Sequence, residues 1–94
     1  MPYTTVSHWN TTKWTDDMEA AAREKFVPLI MSVGAARVQM VRTGQSTFCV
    51  VTEYADAAKA KAAQARIAEI RAQAAEELPM TMASAHEGDV FAHS

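Results

Sequence analysis

The sequence predicts an α+β fold: a split βαβ, ferredoxin-like domain whose four-stranded antiparallel sheet carries two helices on one face. Three observations lead there. The segments read strand, helix, strand, tight turn, strand, helix, strand (β-α-β-β-α-β), which is two strand-helix-strand units sharing a central hairpin. The turn of that hairpin is legible as Thr43-Gly44-Gln45-Ser46, between two runs rich in β-branched residues. Finally, 94 residues make a single domain, 1–94.

Residues 3–10, rich in Thr, Val, Tyr and Trp, favour a first strand. Residues 10–13 read as a loop. Thr15 is placed to cap a helix whose first turn carries Asp16, Asp17 and Glu19, negative groups at the positive end of the helix dipole. Met18, Ala22, Phe26, Leu29 and Ile30 space its apolar stripe at three to four residues. Pro28 lacks the donor for a bond to the Glu24 carbonyl, so the helix should kink or split there, and Gly34 should end it.

Residues 35–43 and 46–55 form the hairpin strands. A two-residue loop with Gly first suits a type II′ turn, which sets Thr43 opposite Ser46. One face then carries Val38 with Val51, Met40 with Cys49, Ala36 with Glu53 and Arg42 with Thr47; it is expected under the helices. The other carries Val41 with Phe48, Gln39 with Val50, Arg37 with Thr52 and Ala35 with Tyr54. Such a mixed apolar and polar face seldom stays bare, so a second copy of the chain is expected against it. Asp56 caps the second helix, which runs to about Leu78 with Ala60, Ala63, Ile67, Ile70, Ala74 and Leu78 buried, until Pro79 stops it. Residues 80–86 form the last strand. Gly88-Asp89 should interrupt it before an apolar tail, Val90-Phe91-Ala92, that pairs with something further.

Composition narrows the function. A chain of this size buries only about 60–65% of its unfolded surface, so association is a common source of extra stability. Apolar residues make up 49% of the chain, but many are alanine, which implies a shallow core and close helix-to-sheet contact. A net charge of −2 and a pI near 5.8, with scattered Lys and Arg, argue against nucleic acid as a partner. No apolar run is long enough to span a membrane, and no charged-then-apolar leader is present, so a cytoplasmic protein is expected. Cys49 is the only cysteine and reads as a small hydrophobe. No metal-ligand spacing links His8, His86 and His93, and no phosphate loop, Ser-His-Asp order or catalytic carboxylate pair occurs. No metal or cofactor is expected.

The helix end Lys25-Phe26-Val27-Pro28-Leu29-Ile30, Gly34-Ala35, the strand Arg37-Val38-Gln39-Met40-Val41, the turn Thr43-Gly44 and the strand Val50-Val51-Thr52-Glu53-Tyr54 together resemble the dimeric α/β-barrel superfamily. Within it, the small antibiotic-biosynthesis-monooxygenase-like proteins are the nearest in pattern. The resemblance covers nearly the whole chain and implies a homodimer whose two sheets close into a barrel with helices outside. It also implies ligand clefts between sheet and helices. Members include cofactor-independent oxygenases, haem-degrading enzymes, isomerases and proteins without known activity, so the fold names no reaction. Haem-degrading members use an Asn-Trp-His set; Asn10, Trp14 and His86 do not match its positions.

In this topology the strand order is 4-1-3-2, and the start of strand 1 lies between Glu53 and His86. Those two side chains should sit roughly 10 Å apart, bracketing one small ligand if both face the helices. The plainer reading is that both are exposed strand ends. His8, Trp9 and Trp14 cluster near the other end, where they are able to line a cleft for a flat apolar substrate, or simply pack. Alternation sends His8 and Trp9 to opposite faces. Arg37, near Tyr54, would hold an anionic group inside a dimer barrel or serve the interface. The function expected is a cofactor-independent oxygenase-like or isomerase-like enzyme for an apolar or aromatic small molecule. His86 or His8 would transfer protons, and Trp9, Trp14, Tyr54, Glu53 and Arg37 would contact substrate. The competing expectation is a noncatalytic binding or structural homodimer in which the same residues pack.

Overall fold

The computed structural model describes residues 1–94. Four strands, β1 (Tyr3–Thr11), β2 (Arg37–Arg42), β3 (Thr47–Tyr54) and β4 (Met80–Asp89), form one antiparallel sheet in the order β2-β3-β1-β4. Three helical segments cover one face: α1 (Asp16–Ala21), α2 (Val27–Ser32) and α3 (Ala57–Glu77). This is the expected ferredoxin-like topology and strand order. No helix is long and apolar enough to cross a membrane.

Local chemistry explains the helix ends. The Thr15 hydroxyl accepts from the Met18 N–H, and the Asp56 carboxylate accepts from the Lys59 N–H, each satisfying a donor that the first helical turn leaves free. α1 and α2 are joined by a π-helical turn, Ala22–Phe26, in which the Val27 N–H reaches back to the Ala22 carbonyl. Pro28 thus sits at the start of α2, directly after the π-helical turn that interrupts the regular ladder. The expected split takes this form. Gly34 closes α2 with φ 103°, a left-handed conformation in which a side chain would be strained.

The hairpin departs from expectation. Thr43 and Gly44 both donate to the Thr47 carbonyl at 3.0 and 3.3 Å, and the Thr43 and Thr47 hydroxyls meet at 2.9 Å. The connection is therefore three residues, Gly44-Gln45-Ser46, and Gly44 has no positive φ, so no type II′ turn forms. Glycine is needed there for closeness, since a Cβ would lie 2.6 Å from Thr47 Oγ1. The extra loop residue moves the register by one: Val41 faces Cys49, Met40 faces Val50 and Arg37 faces Glu53. A one-residue slip exchanges the two faces of a strand. Phe48, Val50, Thr52 and Tyr54 therefore lie under the helices with Val38 and Met40, not on the outer face as the turn chemistry suggested. Cys49, Val51 and Glu53 take the outer face with Arg37, Gln39 and Val41. The physical reason is the core: this register puts the large side chains of both hairpin strands on one side.

That core joins Phe26, Ile30, Tyr54 and Ile70 to Ala35, Ala60, Ala63 and Ala74. The alanines of α3 let its backbone approach the sheet, as its composition implied. On β4 the pairing slips between His8 and Trp9, leaving Ala83 as a bulge. β4 also continues through Gly88 and Asp89, which pair with Thr4 and Tyr3, and the Val90 N–H bonds the Pro2 carbonyl at 2.8 Å. The interruption expected at Gly88 does not occur, because an extended glycine at a sheet edge still supplies both backbone groups. Phe91 beyond it is 91% exposed.

Candidate functional site

Alternation along β1 sends Thr5, Ser7 and Trp9 toward the helices, and the corrected register sets Thr52, Val50 and Phe48 opposite them. Together with Met18, Phe26 and Ile70 above, these residues enclose a cleft of about 360 Å³ between sheet and helices. Its aromatic end is ordered by ring contacts. Trp9 stacks nearly parallel on Phe48, with centroids 6.1 Å apart and planes at 9°. Trp14 meets the same Phe48 edge-on at 5.9 Å and 81°.

Polar groups are few and placed along the floor and rim. The Trp9 indole donates to the Ser7 hydroxyl at 2.8 Å. Thr52 is only 4% exposed and, like Thr5, lines the cleft. No fully enclosed side-chain polar atom lacks a partner. At the rim, the Trp14 indole donates to Glu19 Oε2 at 2.6 Å, and the other Glu19 oxygen lies 3.8 Å from the Arg23 guanidinium. The Arg42 guanidinium sits 4.1 Å from the Trp14 ring centre. An apolar, aromatic-walled space with a few hydroxyls and a charged mouth suits a flat ring system bearing oxygen substituents.

The expected site residues divide between the two faces of the sheet. Trp9 and Trp14 both line the cleft. His8 and His86 come together, ring centroids 6.3 Å apart, but on the outer face, where His8 pairs with Cys49 and His86 with Val6. Glu53 lies on that same face, between Thr4 and Arg37, so Glu53 and His86 do not bracket a ligand beneath the helices. Arg37 is exposed on the outer face, as expected, but its opposite neighbour is Glu53 rather than Thr52. Tyr54, expected on the outer face beside Arg37, is 1% exposed in the core. Burial pushes its phenol above the ordinary tyrosine value, and the nearby Arg71 cation offsets part of that rise. Its edge borders a second, open groove of about 580 Å³ running between α3 and β4 past Tyr3, Arg71 and Glu87.

Sequence reasoning missed Glu19, Arg42, Phe48, Ser7 and Thr52 as cleft residues. Ser7 was within reach of it, since it shares the parity of Trp9. Phe48 and Thr52 depended on the hairpin register. The sequence puts Glu19 in the first turn of helix 1 and Arg42 on the helix-facing side of the hairpin, but nothing in their spacing joins them to Trp14.

No protein-family profile matches the chain, and no curated protein matches it in sequence. Solved structures do. It is similar to SnoaB, a cofactor-independent oxygenase from Streptomyces nogalater, at TM-score 0.75 and 13% identity over 98% of this chain and 95% of that one. A dimeric ferredoxin-like protein from an uncultured marine organism matches at TM-score 0.69 and 12% identity, covering 100% and 98% of the two chains. A Bordetella bronchiseptica protein provisionally named an antibiotic biosynthesis monooxygenase matches at 0.67 and 15%, covering 97% and 98%. At these identities the likeness establishes the fold. The chain has the ferredoxin-like fold that its sequence predicts.

Proposed function

We propose that this chain is a homodimer that binds a flat aromatic small molecule between its sheet and its helices and acts on it in a cofactor-independent, oxygenase-like reaction. The observation that carries this reading is the 360 Å³ cleft itself, walled by Trp9, Trp14 and Phe48 and lined on the sheet side by Thr5, Ser7 and Thr52. The cofactor-independent oxygenase among the similar structures supports the reaction class. An oxygenation of this kind begins when an electron-rich substrate loses a proton and the delocalised anion supplies the electrons that oxygen takes. For a ring CH₂ becoming C=O, one oxygen atom stays on carbon and the other leaves as water with the two hydrogens, so no outside reductant is needed. An isomerase-like reaction would share the first step and return the proton to a different carbon.

Within the cleft, Glu19 is the carboxylate that would receive that proton, while the hydroxyls of Thr5, Ser7 and Thr52 would stabilise negative charge on a substrate oxygen. His8 would serve only a ligand bound on the outer face, inside the barrel that a second copy would close; His86, whose ring meets His8 there, also borders the groove between α3 and β4. Homodimerisation through that face is supported by partly covered apolar side chains there, Val6 and Val51, by Val41 at 45% exposure, and by the dimeric neighbour. One observation favours noncatalytic binding instead: Glu19 is already engaged by the Trp14 indole and Arg23.

Both tryptophans of the chain line the cleft, so their fluorescence reports its occupancy. Titration with 1,5-dihydroxynaphthalene should quench it saturably, and an oxygen electrode should register uptake that Glu19→Gln abolishes and that His8→Ala and His86→Ala leave intact. Quenching without uptake would establish the noncatalytic binder. Loss of uptake in the histidine variants would place the chemistry on the outer face, and absence of quenching would remove the cleft as a ligand site.

A further inference from the structure

Trp14 is the one aromatic wall of the cleft that no regular element holds. Its backbone lies in residues 12–15, between β1 and α1, whereas Trp9 and Phe48 are fixed by central strands. Its side chain is instead held by three separate elements. α1 supplies Glu19, which accepts the indole N–H; β3 supplies Phe48, which takes the ring edge-on; and β2 supplies Arg42, stacked over the ring. Arg42 is itself tied down. Its Nε donates to the Gly44 carbonyl at 3.0 Å and an Nη donates to the Gln45 carbonyl at 2.8 Å, so the hairpin loop aims the guanidinium. A planar, doubly bonded guanidinium stacks in one orientation, which a flexible ammonium does not reproduce.

We propose that Trp14 is the gate of the cleft and that Arg42 is its latch, setting how far the gate opens and hence the size of ring system that enters. The proposal rests on the cleft being the ligand site. Arg42 is a positioning residue: it acts on the ligand through Trp14. Swinging Trp14 aside requires parting the Arg42 stack and the Glu19 hydrogen bond while leaving Trp9, Phe48 and the sheet in place. The mouth therefore widens without unfolding anything. A ligand small enough to pass the closed mouth should be indifferent to Arg42, and a larger one should depend on it.

The test has two readouts, one of which needs no ligand. In a Trp9→Phe background, acrylamide quenching reads the accessibility of Trp14 alone. Arg42→Gln should raise it roughly two- to fivefold, the loss expected from one partly exposed cation–π contact, and Arg42→Lys should restore it only in part. In the native chain and in Arg42→Gln, stopped-flow fluorescence should follow entry and exit of 1,5-dihydroxynaphthalene and the four-ring 1-pyrenol. The variant should speed both rates for 1-pyrenol by a similar factor while changing those for the two-ring probe little. Unchanged Trp14 accessibility in Arg42→Gln overturns the latch. Raised accessibility with unchanged 1-pyrenol rates overturns the gate. If neither probe binds the native chain, the ligand-cleft reading fails, and the acrylamide measurement still decides whether Arg42 holds Trp14.

Discussion

Replacing Tyr54 with alanine tests the corrected strand register directly. Tyr54 is 1% exposed in a core it shares with Phe26, Ile30 and Ile70 and with Ala35, Ala60, Ala63 and Ala74, alanines too short to fill a space left behind. Truncating a buried aromatic ring costs about 3–5 kcal/mol, more where the site cannot collapse, so the upper half of that range applies. A domain of 94 residues has roughly 5–14 kcal/mol in all, so the variant should lose from about three tenths to nearly all of its stability. Each kcal/mol moves the midpoint of a domain this size by about 4–8 °C, which gives a fall of about 16–40 °C. Tyr54→Phe keeps the ring and should cost under about 1 kcal/mol. Thermal and urea unfolding at two protein concentrations measure the loss and separate it from the contribution of dimerisation. Had the hairpin formed around a two-residue turn, Tyr54 would lie on the outer face. The alanine variant would then keep its fold stability and lose its partner. A loss below about 1 kcal/mol accompanied by a monomeric sedimentation profile would refute the three-residue-loop register.

The other expectations follow from neighbouring positions. Val51→Glu places a carboxylate on the outer face beside Val41 and Gln39, so the fold should persist while the homodimer dissociates; an unchanged mass in sedimentation would sink the proposed interface. Lys25 and Glu77 form an ion pair joining the π-helical turn to the end of α3. Hydrogen bonds from Lys25 first, and then Gln73, hold the Glu77 carboxyl below the ordinary glutamate value. A lowered folded value means that the pair's stabilisation is present above the usual glutamate range, about pH 4.3, and is lost as pH falls below it. The stability difference between the native chain and Lys25→Ala should therefore shrink in that acid window, and a difference independent of pH would contradict the pairing.

Much of the fold was legible because it rests on local rules. Thr15 and Asp56 announce helix starts through side-chain capping, Gly34 announces an end through its left-handed backbone, and the spacing of Ala60, Ala63, Ile70 and Ala74 shows which side of α3 meets the sheet. The alternation separating His8 from Trp9 is equally local. Where two local rules competed, the sequence was ambiguous. Thr43-Gly44-Gln45-Ser46 suits a two-residue turn, yet the wider loop, braced by the Thr43–Thr47 pair and Arg42, allows Phe48, Val50 and Tyr54 to share a face with Val38 and Met40. Burial of those side chains outweighed turn preference.

The chain alone determined the order of its elements, their ends, the strand order they imply and the aromatic character of the first strand and the loop after it. Tertiary structure decided which face each residue of β3 takes, and so which residues meet Trp9. It also brought Arg42 and Phe48 onto Trp14 from strands far along the chain, beside Glu19 of the adjoining helix. The physical reason is one of range. Caps, turns and periodicity act over a few residues and can be read from neighbours, whereas strand register and the assembly of a cleft depend on the total apolar surface that the whole chain can bury at once.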